Sequence, residues 1–192
     1  IAAAILYSEQ SFSYYVVSSG FEDRPQWALD FIRKNWGRQM RSPHFNGAWH
    51  EAWEISSFGG DLLSTSHAWS SGPTALLPEK VLGLEPLSEG WKTFKVKPNL
   101  CDLKWAKGIV PTPEGPIYVE CSKNSEKGFE LYVLVPENTM AEIAVPGKRS
   151  DQVNVNRLAL ASSPGIELID SENGSILLNA EPGEYQIIVS ND

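Results

Sequence analysis

Cysteine is scarce in this chain: Cys101 and Cys121 are the two thiols among 192 residues. Two cysteines do not make a disulfide framework, and these lack the spacing of a zinc ligand set. Burial as small apolar side chains is the expectation for both. No stretch approaches the ~20 consecutive apolar residues that a membrane-spanning helix needs. Clustered cations are missing too. Residues 1–90 hold six Lys+Arg against ten Asp+Glu, and residues 91–192 hold ten against fourteen, so each part carries −4 of the net −8. Without a basic stripe or tail, neither a nucleic acid nor an anionic membrane surface is an expected partner. Internal repeats, low-complexity tracts and cofactor-binding motifs are also absent. The opening, Ile1-Ala-Ala-Ala-Ile-Leu-Tyr7, has no basic region before its apolar residues and no initiator Met. It reads as a helix entered midway, so a longer natural protein is expected.

What is present changes character near residue 90. Before it the pattern is helical. Ile5, Leu6, Phe12, Val16 and Val17 give a first apolar face. Asp23-Arg-Pro25 opens a second helix with proline in its first turn, where the missing N–H costs little. Trp27, Leu29, Phe31, Ile32 and Trp36 supply the apolar positions of that helix, and Gly37 marks its expected stop. Ser64-Thr-Ser66 is expected to cap a third helix, from about His67 to Leu82, interrupted near Gly72-Pro73. From Trp91 the period becomes two. Residues 91–97, 116–121, 129–135, 141–145, 176–178 and 185–189 alternate or run apolar, with Gly, Pro and Asn between them. Many short strands with regular turns predict an antiparallel sandwich. The expected architecture is α+β: helices over 1–90 and an antiparallel β-domain over 91–192.

Chemistry-bearing residues concentrate at the helical end. All three histidines and five of the seven tryptophans precede residue 70. The densest segment is Phe45-Asn-Gly-Ala-Trp49-His50-Glu51-Ala-Trp53-Glu54, followed by Ser66-His67-Ala-Trp69. Carboxylates, imidazoles and indoles together suit a sugar site, where indole faces cover the C–H face of a pyranose and the polar groups take its hydroxyls. A carboxylate in such a place can also act as general base toward water. The plainer readings are packing for the tryptophans, a structural hydrogen-bonding role for His50 and a loop position for Asp61. A metal site from His44, His50 and Glu51 has no familiar ligand spacing to support it.

The ordered blocks Trp36-Gly-Arg-Gln-Met40, Gly47-Ala-Trp-His-Glu51-Ala-Trp53 and Ser66-His67-Ala-Trp69-Ser-Ser-Gly-Pro73 resemble the end of the catalytic domain of family 78 α-L-rhamnosidases. Val81-Leu-Gly-Leu-Glu-Pro86, Gly90-Trp91, Val96-Lys-Pro98, Leu103-Lys-Trp-Ala-Lys-Gly108 and Val110-Pro-Thr-Pro-Glu-Gly115 are similar to that family's passage into its last β-domain. The resemblance covers roughly residues 20–147. It implies that the helices belong to an (α/α)6 barrel whose remainder is a partner of this chain. It also implies hydrolysis of terminal α-L-rhamnose with inversion; separately, the lack of ligand spacing leaves no metal or other cofactor expected.

The family's base, a Glu in a Glu-x-Trp block, falls on Glu51, and its following pocket histidine falls on His67. Trp49, Trp53 and Trp69 become candidate walls of the sugar site. The family carries Trp directly before the base and Thr ahead of it; here His50 stands there, with Gly47 and Ala48 upstream. Glu54, which also follows a Trp, is the alternative base. Inversion needs a second carboxyl group on the opposite face of the sugar, and no block here matches the family's general acid. The competing readings are a stand-alone carbohydrate-binding module and a structural fragment without catalysis.

Overall fold

The computed structural model describes residues 10, 12–53, 64–124, 128–172 and 174–190. The chain forms two compact units, Ile1–Leu77 and Pro78–Asp192.

In the first unit, helix α1 is Ser13–Asp23 and helix α2 is Pro25–Met40. The residues that α1 buries, Ser13, Val17 and Phe21, are spaced by four, and those of α2 are Ala28, Leu29, Ile32, Trp36 and Gln39. Each set is a single stripe at the helical period, which is why each segment is a helix with one face inward. Ile5 and Leu6 of the expected first face lie outside the described residues. Pro25 does occupy the first turn of α2. Gly37, however, does not stop the helix: α2 continues to Met40, and the Arg41 N–H closes it on the carbonyls of Arg38 and Gln39. A helical glycine costs only ~1 kcal/mol, and the extra turn is what carries Gln39 into the buried stripe.

The expected third helix is split into a 3-10 turn, Ala68–Ser71, a short helix α3, Gly72–Leu76, and a π turn, Leu77–Val81. Its predicted cap is absent. No side chain caps the 3-10 turn, and the Ser64 hydroxyl instead donates to the Ser66 carbonyl and accepts from the Ser66 N–H. A serine that satisfies its own turn is not available to a helix two residues on.

The second unit is a β-sandwich. One sheet contains, in spatial order, β1 (Leu84–Pro86), β2 (Thr93–Val96), β6 (Met140–Pro146), β10 (Ser175–Ala180) and β9 (Ile166–Glu172). The other contains β3 (Trp105–Thr112), β4 (Gly115–Asn124), β5 (Gly128–Val135), β11 (Gly183–Val189), β7 (Val153–Val155) and β8 (Leu158–Ala159). Pairing is antiparallel throughout except between β2 and β6, where Phe94 lies beside Ala141 and Val96 beside Ile143 in parallel. Alternate residues of the two inner faces form one core: Phe94, Val96, Ile143, Ile176 and Leu178 from one sheet, Ile117, Val119, Leu131, Val133 and Ile187 from the other.

Leu82 and Leu84 belong to this core as well, and β1 pairs with β2, so residues 78–90 pack with the strands. Neither cysteine is in a disulfide; Cys121 is buried and Cys101 half-buried. Burial pushes the Cys121 thiol up to about 11. Among the described residues no helix is long and apolar enough to cross a membrane.

Candidate active site at the end of the second helix

The far end of α2 organises the segment that the sequence singles out. The Trp36 indole N–H donates to the Ser70 carbonyl at 2.8 Å. Trp53 stands edge-on to Trp36, with ring centres 4.8 Å apart, and Phe31 lies 6.3 Å from Trp53. Trp27 continues this cluster at 5.4 Å from Phe31. Trp53 thus packs among aromatics of α2. Trp49 leans on Phe45, with centres 5.3 Å apart. Trp69, by contrast, is 75% exposed.

The two motif blocks, thirteen or more residues apart in sequence, lie side by side. The Glu51 N–H donates to the Ser64 carbonyl at 2.9 Å, and the His67 N–H donates to the Trp49 carbonyl at 2.8 Å. Asn46 adds a side-chain bond to the Thr65 carbonyl at 3.3 Å. The Glu51 side chain joins the same pairing, with Oε2 accepting the Ser64 N–H at 2.9 Å. A carboxylate anchored through one oxygen keeps its other oxygen for a water or a hydroxyl. Glu51 and His67 are both half-buried. Glu54 and Asp61 lie outside the described residues.

His50 differs from its expected hydrogen-bonding role. It is 3% exposed, and among the described residues neither ring nitrogen has a partner. Its main-chain N–H is the group engaged, 3.4 Å from Gln39 Oε1. Gln39, 2% exposed, also donates from Nε2 to the Ala52 carbonyl at 3.2 Å. Behind it stands the buried Gln10 amide, with Gln39 Nε2 donating to Gln10 Oε1 at 3.1 Å and Gln10 Nε2 to Gln39 Oε1 at 3.3 Å. Sequence reasoning passed over Gln39, although it sits inside the Trp36–Met40 block. The available signal was an amide three residues beyond Trp36, on the apolar stripe of α2. Among the described residues, His, Cys, Asp and Glu side chains do not gather in the groups of three or more that a metal ion would need.

The β-unit has its own concentration of aromatic residues. Strand register places Trp105, Lys107 and Ile109 of β3 on one face with Tyr118 and Glu120 of β4 and Tyr132 of β5. This face points away from the core. Trp105 is 59% exposed, and the Tyr118 and Tyr132 rings meet at 5.5 Å.

The family described as bacterial alpha-L-rhamnosidase C-terminal domain matches residues 83–159. An alpha-L-rhamnosidase of Formosa agariphila is 31% identical over 109 residues, which is 56% of this chain and 12% of that protein. The crystal structure of the GH78 rhamnosidase of Bacillus sp. GL1 is similar over 70% of this chain and 15% of its own, at 28% identity and a TM-score of 0.55. That of Streptomyces avermitilis alpha-L-rhamnosidase, complexed with L-rhamnose, is similar over 73% of this chain and 13% of its own, at 19% identity and a TM-score of 0.61. The chain therefore spans only a small part of each relative. Residues 83–159 match the C-terminal domain model, and the chain is similar to the carboxy-terminal portion of these α-L-rhamnosidases.

Proposed function

We propose that this chain supplies the last helices of the catalytic barrel and the terminal β-domain of an inverting glycoside hydrolase that removes terminal α-L-rhamnose. Glu51 is the general base. It activates a water on the face of the sugar opposite the leaving oxygen. His67 takes a sugar hydroxyl, and Trp49 and Trp69 border the pocket. Trp53, packed against Trp36, supports that wall from behind. The general acid belongs to the rest of the barrel, with ~6.5–9.5 Å between the two carboxyl groups as inversion requires. The observation that carries the reading is the pairing of residues 49–51 with 64–67. It sets the base beside the histidine block and ties one Glu51 oxygen to the Ser64 N–H.

The test is Glu51→Gln in the intact enzyme. The amide keeps the shape but cannot accept a proton, so turnover should fall by ~10² or more while rhamnose binding persists. Azide should then restore bond cleavage and give a rhamnosyl azide of inverted configuration. If Glu51→Gln is near normal and Glu54→Gln is inactive, the base is Glu54. The 192-residue chain alone should not turn over an aryl α-L-rhamnoside, because it holds one half of the catalytic pair.

A second reading has one observation in its favour. The exposed Trp105 and the Tyr118–Tyr132 pair on the outer face of the six-stranded sheet suit a carbohydrate-binding surface, since sugars stack on exposed aromatic rings. Titrating residues 78–192 alone with rhamnose and rhamnosides, following Trp fluorescence, separates the two. Saturable binding by the β-unit supports the module, and its absence leaves the hydrolase reading.

A further inference from the structure

We propose that Gln39 is a positioning residue for the base, holding the main chain on both sides of Glu51 from within the core of the helical unit. The inference rests on the reading of Glu51 as general base.

Gln39 ends the buried stripe of α2, following Ile32 and Trp36. The helical period calls there for an apolar side chain. A buried amide is unfavourable unless its oxygen and nitrogen are both paired. In this structure they are paired with the residues that flank the base. Oε1 faces the His50 N–H at 3.4 Å, and Nε2 donates to the Ala52 carbonyl at 3.2 Å. One rigid, planar group therefore bridges the residue before Glu51 and the residue after it. Gln10, 0% exposed, lies against the same amide, with its side chain within 3.3 Å of that of Gln39.

On its other side the Glu51 backbone is tied to Ser64. The carboxylate thus sits on a three-residue segment held between a helix core and the turn at residues 64–66. A methionine at position 39 would fill a similar volume without any polar group to satisfy. What the amide adds is direction. It stops residues 50–52 from rotating or sliding, and with them the carboxylate that must hold a water in line with the anomeric carbon. Reaction geometry is sensitive at this scale, since a misplacement of ~1 Å can cost ~10²-fold in rate.

The experiment uses the intact enzyme with three variants: Glu51→Gln, Gln39→Met and Gln39→Asn. Turnover is expressed per binding-competent site, with that number taken from rhamnose titration, so partial unfolding does not count as lost catalysis. Gln39→Met removes both bonds. It should lower kcat by roughly 10-fold or more, as expected for a displaced reacting group, with KM within about twofold. Gln39→Asn keeps an amide in the core but is too short to span both residues, so it should show the same pattern in milder form.

An unchanged kcat per site in Gln39→Met, or a loss confined to KM or to melting temperature, overturns the proposal. So does failure of both Gln39 variants to fold, which would make Gln39 a purely structural residue. If Glu51→Gln itself remains active, the base assignment has failed. If Glu51→Gln is inactive while both Gln39 variants behave as wild type, only the positioning role has failed.

Discussion

Gly83 offers a test of the β-unit in which the cost can be worked from the structure. It has φ +69, and a Cβ placed on it would lie 1.9 Å from the Lys97 carbonyl oxygen, 2.2 Å from that carbonyl carbon and 2.7 Å from the Lys97 nitrogen. Ordinary carbon contact begins near ~3.5 Å, and these atoms are main chain, which cannot swing aside. Alanine at 83 must therefore push β1 and β2 apart. The bonds at risk are the Lys97 N–H to the Gly83 carbonyl at 3.0 Å and the Asn99 N–H to the Val81 carbonyl at 2.9 Å. Losing two such bonds costs about 2 kcal/mol, and the left-handed backbone adds ~1–2 kcal/mol for a residue with a Cβ.

The expected loss for Gly83→Ala is therefore ~3–4 kcal/mol, large against the ~5–15 kcal/mol that folds a typical domain. Gly90 is the control. Its φ is +70, nearly the same, but a Cβ there meets nothing within 4 Å. Gly90→Ala should lose only the backbone share, ~1–2 kcal/mol. Urea unfolding of both variants, followed by far-UV circular dichroism, gives the two values directly. Equal losses for the two alanines would refute the argument, since the steric term would then be nil.

Other outcomes follow from the same structure. Residues 78–192 should unfold cooperatively on their own, because both sheets bury their inner faces against each other; a fragment beginning at 91 should be less stable, lacking β1 and the core side chains Leu82 and Leu84. A dye-binding species without a cooperative transition would contradict the first statement. Cys121, buried and with its thiol pushed up to about 11, should resist a thiol reagent at pH 8 until urea unfolds the chain, whereas half-buried Cys101 should react faster. The sign of the Cys121 effect on stability is also determined. Its folded value lies above the ordinary thiol value of 9.0, so the unfolded thiol ionises first. Stability is then lost as pH rises from about 9 toward about 11, and Cys121→Ala should flatten that part of the profile. Ile143→Ala, at a position that is 0% exposed between the sheets, should cost ~2–5 kcal/mol through the cavity it leaves.

The sequence by itself determined the central strands of the sandwich. β4, β5, β6, β10 and β11 each bury one face, so burial writes a period of two into their residues. At a period of 3.6 it marked α1 and α2 as helices, although their buried stripes differ from the expected faces, with Phe12 60% exposed and Phe21, Ala28 and Gln39 buried; it also marked the two blocks that hold Glu51 and His67. Tertiary structure decided the rest. β3 has Gly108 and Pro111 within it and no fully buried side chain, and only its pairing to β4 makes it a strand; an edge position tolerates the proline. The parallel contact of β2 with β6 joins residues 93–96 to 140–143, a separation that no local pattern records. Helix propensity placed a stop at Gly37, but packing of Trp36 and Gln39 carried α2 one turn further. That extra turn brings the Gln39 amide to the main chain beside Glu51, where its bonds run to residues 50 and 52 across a turn. A hydrogen bond has a direction in space and leaves no period in sequence, so the support of the candidate base emerged only from the fold.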